Sequence, residues 1–430
     1  MHDARWGLGW ELPPRSVTCT TMSMIRADSL PDLIRHEIHK RSGWMGFDQY
    51  MDMALYAPGL GYYSGPRSPF GAEGDFVTAA AISPSYGACV ARQIVQVLDA
   101  IGSDDVLEFG AGDGRLAAQI LDYARSINRP MHYQIIELSA GLRLLQQERL
   151  KAGSAEDFGQ LRWLERLPEG GFRGVMLAHE LLDAMPVRLF VYRHPDRHTH
   201  RHPDQQQWYE RGLSNSAGHD GGGLCFADRP ADAHWSAKLE ALKRACQQTW
   251  PEDWPDGMLI EWHEQAQAWT RSVCDALEQG LLLVVDYGFP AHEYYLPRRQ
   301  QGTLMTHQAH RAGTDLLANP GTQDLSVHVD FTAVARVALE QGMQLSGYCT
   351  QARFLFNTGI LDIATASAAQ EPHRTSPAAL SRLAGLQKLL SEAEMGELFK
   401  FMALSRGLDS LDLIGFQQGD RSGRLGLDAC

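Results

Sequence analysis

Residues 106–121 read Val-Leu-Glu-Phe-Gly-Ala-Gly-Asp-Gly-Arg-Leu-Ala-Ala-Gln-Ile-Leu. The apolar start predicts the end of a buried strand. Gly110, Gly112 and Gly114 then lack the Cβ that would hold a ligand off the backbone, which suits a tight turn. Leu116, Ile120 and Leu121 recur at the spacing of one helix face. A strand, a glycine turn and a helix in this order aim backbone N–H groups at the negative end of a ligand.

The flanking acids narrow the ligand. A dinucleotide turn has the spacing G-x-G-x-x-G around a pyrophosphate. Here the third glycine comes one residue early, and Glu108, just ahead of the turn, would repel a pyrophosphate but suits a cation. S-adenosylmethionine has no phosphate and carries a sulfonium and an ammonium beside its carboxylate. A second apolar run, Tyr133-Gln134-Ile135-Ile136-Glu137, follows at the distance of one βαβ unit and ends in an acid where a ribose diol would be held. The alternative is a purely structural βα turn. Together the two runs favour a methyltransferase-type nucleotide site, with Glu108, Gly110, Gly112, Gly114 and Glu137 toward the cofactor.

Composition sets outer limits. At 430 residues and 44% hydrophobic content, the chain can bury a large core, as two or three domains or as one with insertions. A formal net charge of −13 argues against nonspecific nucleic-acid binding. The seven cysteines show neither metal-type spacing nor a disulfide framework. They fit a reducing compartment, so a cytoplasmic location is expected. No metal site is expected, and no stretch is apolar enough for membrane insertion. Residues 1–24 lack the apolar core of a secretory signal and are expected to form a disordered tail, with Met22 or Met24 as alternative starts.

Along the chain, Ser29 and Pro31 open a helix to Lys40, and residues 47–55 continue in similar style. Ser83-Pro84 opens another, to about Ile101. Between them lies a turn-rich stretch holding Tyr62 and Tyr63. The run from Gly174 to Pro186 again passes from apolar strand to polar turn, setting His179, Glu180 and Asp183 at a strand's carboxyl end, where ligands bind in a doubly wound sheet. Residues 193–256, rich in His, Pro, Asp and Gly, are expected as a solvated insertion loop with a short helix near Trp235. A helix is predicted from about Glu261 to Gln279, then a buried strand through Leu281 to Gly288 ending at Asp286. A short strand over 302–307, a helix over 331–341, a strand over 345–349, a helical insertion over 359–395 and a closing buried strand to Leu404 complete the pattern. The expected fold is α/β, a Rossmann-like class I methyltransferase, with a seven-stranded, mostly parallel sheet, helices on both faces and added covering segments. Residues 1–43 form a tail and helix, 44–404 the main domain, and 405–430 a C-terminal tail.

With these segments placed, the chain resembles the MidA-like methyltransferases, whose mitochondrial member is an arginine methyltransferase needed for respiratory complex I assembly. The resemblance rests on Gly61-Tyr62-Tyr63, Gly74-Asp75-Phe76-Val77-Thr78, the glycine turn, Ala178 to Val187, Val285-Asp286-Tyr287-Gly288, Pro320 to Phe331 and Met395 to Lys400. It implies S-adenosylmethionine as donor, with Asp75 at the cofactor, and a protein arginine acceptor such as a complex I subunit. The family pattern carries Pro-Glu where this chain has Ala80-Ala81, so an acid beside the site is missing.

Arginine is a poor nucleophile because its guanidinium is always protonated, with a pKa of about 12.5 or above. A carboxylate pair can grip the planar fork and draw charge from the attacking nitrogen. Glu180 and Asp183 are expected in that role, with His179 and Asp286 as secondary partners. Two alternatives share the donor site. One is a methyltransferase acting on a small molecule or another nitrogen or oxygen; the other is a non-catalytic assembly factor with a vestigial pocket. The sequence leaves the oligomeric state open.

Overall fold

The computed structural model describes residues 29–65, 78–153, 160–194, 207–216, 223–308, 311–369, 377–409 and 411–427. The expected N-terminal tail to Met24, Asp75 and most of the histidine-rich stretch lie outside them.

The central sheet is built from seven strands in continuous order. We number them β1 (Asp105–Phe109), β2 (His132–Ile136), β3 (Leu161–Leu164), β4 (Phe172–His179), β5 (Leu277–Phe289), β6 (Gln344–Thr350) and β7 (Phe399–Arg406). Their order across the sheet is β3-β2-β1-β4-β5-β7-β6, and a two-residue strand, Val329–Asp330, adds an eighth beside the end of β5. All pairings from β3 to β5 are parallel; β7 runs antiparallel to both neighbours. The expected mostly parallel sheet with helices on both faces is therefore present.

Alternation along β5 shows why the sheet is sandwiched. Leu281, Leu283 and Val285 enter one apolar cluster with the helices Pro84–Ile101 and Arg115–Ser126. Leu282 and Val284 enter the opposite cluster with the helices Glu264–Ala276 and Phe331–Glu340. Successive side chains of a strand point to opposite faces, so a continuous apolar run demands cover on both sides. The helix starts follow the sequence. Ser83 Oγ accepts the Ser85 N–H ahead of Pro84, and Ser29 Oγ accepts the Asp32 N–H.

Three expectations change. Within the expected insertion loop stand the strands Trp208–Asn215 and Leu224–Pro230 and the helix Ala233–Thr249. With Met45–Gly46, Arg188–Tyr192 and Leu259–Trp262 the strands make a five-stranded antiparallel sheet. The expected insertion loop is thus largely a folded lobe. Its alternation is obscured in sequence because Glu210 points inward, held by Arg188 and Arg229. The helix expected from Glu261 begins only at Glu264, since Glu261 is a buried strand residue accepting hydrogen bonds from Thr303, Leu304 and Tyr294. The expected C-terminal tail packs back, burying Leu413, Phe416 and Leu425 against the core clusters.

The strand order reverses between β1 and β4, and outside that switch point their carboxyl ends leave a crevice. The second lobe leaves the sheet after β4 and returns before β5. The N-terminal helix Phe47–Tyr56 packs in one apolar cluster with Val187, Leu189 and Leu213 of that lobe, and Tyr56 Oη donates to the Ala184 carbonyl in the turn after β4 at 2.9 Å.

Candidate active site

Two turns face each other across the switch point. In the first, Gly110, Gly112 and Gly114 all have positive φ, at +62°, +54° and +77°. A Cβ on Gly110 would stand 2.9 Å from Leu181 Cδ1, so this glycine also makes room for the opposite turn. Gln146 fastens the turn, its Nε2 donating to the Gly112 carbonyl at 3.0 Å and to Glu137 Oε2 at 2.9 Å. Glu137 also accepts the Ser139 N–H at 2.9 Å.

The second turn follows β4. Glu180 has φ +50°, a left-handed conformation uncommon outside glycine, and such backbone costs about 1–3 kcal/mol and persists only where its surroundings enforce it. They do. Its N–H donates to the Val285 carbonyl at 2.8 Å. The fully buried Asp286 then takes the next three amides on Oδ2, from Leu181 at 3.2 Å, Leu182 at 2.9 Å and Asp183 at 3.3 Å. Its Oδ1 accepts the Tyr287 N–H at 3.0 Å. Asp286, expected as a secondary catalytic partner, has both oxygens taken up by backbone N–H groups and is not part of the cleft lining.

Between the turns lies a cleft with about 570 Å³ of empty space, part of it open to solvent. Glu108, Gly110, Gly112, His179, Glu180 and Asp183 line it together. Gly114 starts the following helix, and Glu137 stands outside the lining beside Gln146. Asp75 lies outside the described residues.

The electrostatics follow from burial. Glu108 accepts a hydrogen bond from Tyr133 Oη at 2.9 Å, yet burial pushes its carboxyl up to about 7. His179 is held by Tyr86 Oη at 2.8 Å from Nε2, and burial lowers it to about 4, so it is a neutral imidazole near pH 7. Glu180 is raised to about 8, by burial first and then by Asp183. Asp183 is raised to about 6 by burial, against the hydrogen bond it receives on Oδ2 from Tyr287 Oη at 2.5 Å. Glu180 Oε1 and Asp183 Oδ1 are both buried and have no hydrogen-bond partner among the described residues. A buried acceptor left unmade costs about 1–3 kcal/mol; paired at a cleft wall, the two describe a place for a donor-rich cation.

Three side chains at or next to the site were not singled out from sequence: Gln146, Tyr86 and Tyr287. Gln146 carried a signal, a polar residue on the inward stripe between Leu142 and Leu150. Tyr63 lines the cleft and donates from its Oη to Asp324 Oδ1 at 3.1 Å, anchoring the aromatic segment over the site.

Residues 89–349 match the model of a family of S-adenosyl-L-methionine-dependent methyltransferases. The chain belongs to this family. It is 42% identical to a COG1565 superfamily member from Burkholderia thailandensis bound to S-adenosyl-homocysteine, with a TM-score of 0.80 over 92% of this chain and 96% of that one. Among curated proteins it is 27% identical to the mouse protein arginine methyltransferase NDUFAF7, mitochondrial, covering 88% of this chain and 85% of that protein. It is 25% identical to the Drosophila melanogaster homologue, covering 86% and 84%. The expected cytoplasmic location is overturned by these relatives, which are named as mitochondrial proteins.

The donor is S-adenosylmethionine, and the cleft fits it. The glycines open backbone that a Cβ would close at Gly110, and Glu108 offers a buried carboxylate for a cation. When bound, the donor supplies a methyl group made electrophilic by its sulfonium.

Proposed function

We propose that this methyltransferase modifies arginine side chains of a protein, with a respiratory complex I subunit as the acceptor class. Glu180 and Asp183 grip the guanidinium. The carrying observation is the pair of buried, unpartnered oxygens, Glu180 Oε1 and Asp183 Oδ1, on one wall of the cleft. Arginine presents five N–H donors in a rigid fork, matching two acceptors set into the cleft wall without a described partner. Holding the acceptor nitrogen in place and excluding water are what remain for the protein once the donor brings the reactive carbon. Glu137 and Glu108 serve the cofactor's ribose and ammonium; His179 is a neutral wall set by Tyr86. The names of the curated relatives support arginine in a protein as the acceptor.

The residues replacing the family's Pro-Glu do not favour a vestigial site. Ala80 lines the cleft, whereas Ala81, where the acid would stand, is exposed and outside the lining. The test is incubation of the purified chain with isotopically labelled S-adenosylmethionine and a lysate of its own source. Label recovered as methylarginine in a discrete polypeptide is the expected result. Label in small molecules or in another residue type would overturn the reading.

A further inference from the structure

The two acids of the cleft are not equivalent, and the difference lies in their donors. Asp183 receives the Tyr287 hydroxyl on Oδ2 at 2.5 Å and further backbone N–H groups, including that of Ala184. Among the described residues Glu180 receives the Ala79 N–H, and the His179 ring nitrogen stands 3.7 Å from its Oε1. Tyr287 is itself fixed from the side, its ring meeting those of His328 at 5.2 Å and Phe399 at 5.5 Å.

Resting on the arginine reading above, we propose that Tyr287 is a positioning residue that divides the labour of the pair. It keeps Asp183 as the standing anion that anchors the guanidinium, and so leaves Glu180 as the group that takes the departing proton. The transfer then balances. The attacking guanidinium nitrogen forms the new N–C bond, the C–S bond breaks with its electron pair left on sulfur, and the proton of that nitrogen passes to Glu180. Glu180 enters this step as the carboxylate, because the bound guanidinium beside it favours its charged form; in the step the guanidinium stays a cation, the sulfur becomes a neutral thioether, and Glu180 becomes neutral.

The surroundings agree. Asp183 is faced by Glu180 on its own turn, by Asp286 beneath, by Tyr287 from β5, and by Tyr56 and Tyr63 from the N-terminal segment, with Asp324 behind the tyrosines. Glu180 is faced by Asp183, Asp286, His179 and Tyr86. The cation that lines the same cleft, Arg115, is paired with Asp113 on the glycine turn, so hydroxyl and amide donors decide which acid ionises first. A carboxylate that accepts more hydrogen bonds is the more readily ionised, which agrees with a proton held more tightly by Glu180, at about 8, than by Asp183, at about 6.

The experiment measures transfer of labelled methyl to arginine in the source lysate, diluted to give an apparent acceptor KM, from pH 6 to 9. Tyr287→Phe is expected to raise that KM about tenfold, the loss of one hydrogen bond to a charged group, while kcat changes less than about threefold. The acid limb of kcat/KM should move to higher pH, because Asp183 becomes harder to ionise. S-adenosyl-homocysteine affinity should stay unchanged. Asp183→Asn supplies the second arm. In that background Tyr287→Phe should change KM less than about twofold, since the group through which it acts is gone. An unmoved acid limb, or an equal effect of Tyr287→Phe with and without Asp183, overturns the assignment while leaving the arginine reading intact. Absence of any label on arginine removes both.

Discussion

The turns after β1 and β4 stand side by side, and each leaves its strand through left-handed backbone, but they arrive there by opposite means. The first uses Gly110, Gly112 and Gly114, for which positive φ carries no steric penalty. The second carries a side chain at the very residue that turns, the Glu180 carboxylate proposed to hold the acceptor, where glycine would supply none. Its conformation is imposed from outside by Val285 and Asp286, more than a hundred positions later in the chain. A turn that only has to receive a ligand's backbone-facing end can be cheap; a turn that must present chemistry is strained and has to be held.

The sharpest way to break this contrast is to remove the chemistry and keep the turn. Glu180→Gln preserves size and backbone but cannot anchor a cation or accept a proton. Methyl transfer should fall by about a thousandfold, within the range expected for a positioned acid–base group, while cofactor affinity stays within a few-fold. Turnover near the wild-type rate, measured with labelled donor, would show that the acid turn presents nothing.

Next comes the holder. Asp286→Asn retains one oxygen for the three amides but sets an NH₂ against the Tyr287 N–H, donor against donor. Leaving buried amides in that conflict should cost about 3 kcal/mol of stability and reduce transfer through misplacement of Glu180. Equilibrium denaturation reads the first and acceptor kinetics the second. If stability drops while transfer at saturating acceptor does not, Asp286 supports the fold but does not aim the acid.

The same contrast explains how much was legible in the sequence. The glycine turn is local, so three glycines between an apolar run and a helix face announce both its place and its conformation. The buried strand over Leu281–Val285, the Ser83-Pro84 helix start and the cluster of His179, Glu180 and Asp183 were readable for the same reason. The role of Asp286 was not, because its partners lie across the sheet on another strand; by sequence it resembled any acid at a strand end. Glu261 and Glu210 misled in another way. A glutamate normally marks a solvated face, yet both are buried with partners that only the fold supplies. Glu261 was therefore taken into the following helix, and the Glu210 strand into a loop. Pairing between distant polar groups is the part of the structure that periodicity does not carry.

A smaller effect is expected on the glycine side. Gly112→Val adds branched bulk to backbone at φ +54° on the cleft floor. S-adenosylmethionine affinity by calorimetry should weaken at least about tenfold, which is 1.4 kcal/mol, with little change in how an already formed complex treats its acceptor. Unaltered affinity would place the cofactor elsewhere and separate the two turns.

The smallest effect concerns stability alone, and it tests whether the acid turn is held at a cost. Glu180 has a folded pKa of about 8, raised by burial from an ordinary 4.5. Between those values the folded chain binds the proton more tightly than the unfolded chain, so stability must fall as pH rises through that window. The contribution is fully present below about 4.5 and lost by about 8, the reverse of a salt-bridged acid. Glu180→Gln carries no titrating group, so it should melt higher than wild type by about 2 °C at pH 8 and show a smaller difference at pH 5. The glycine turn offers a control, because Gly112→Val changes no charge and should shift the melt equally at both pH values. A Glu180→Gln variant whose advantage is the same at pH 5 and pH 8 would mean that the Glu180 carboxylate is at ease where it stands. A carboxylate at ease has less need of an incoming guanidinium to satisfy it.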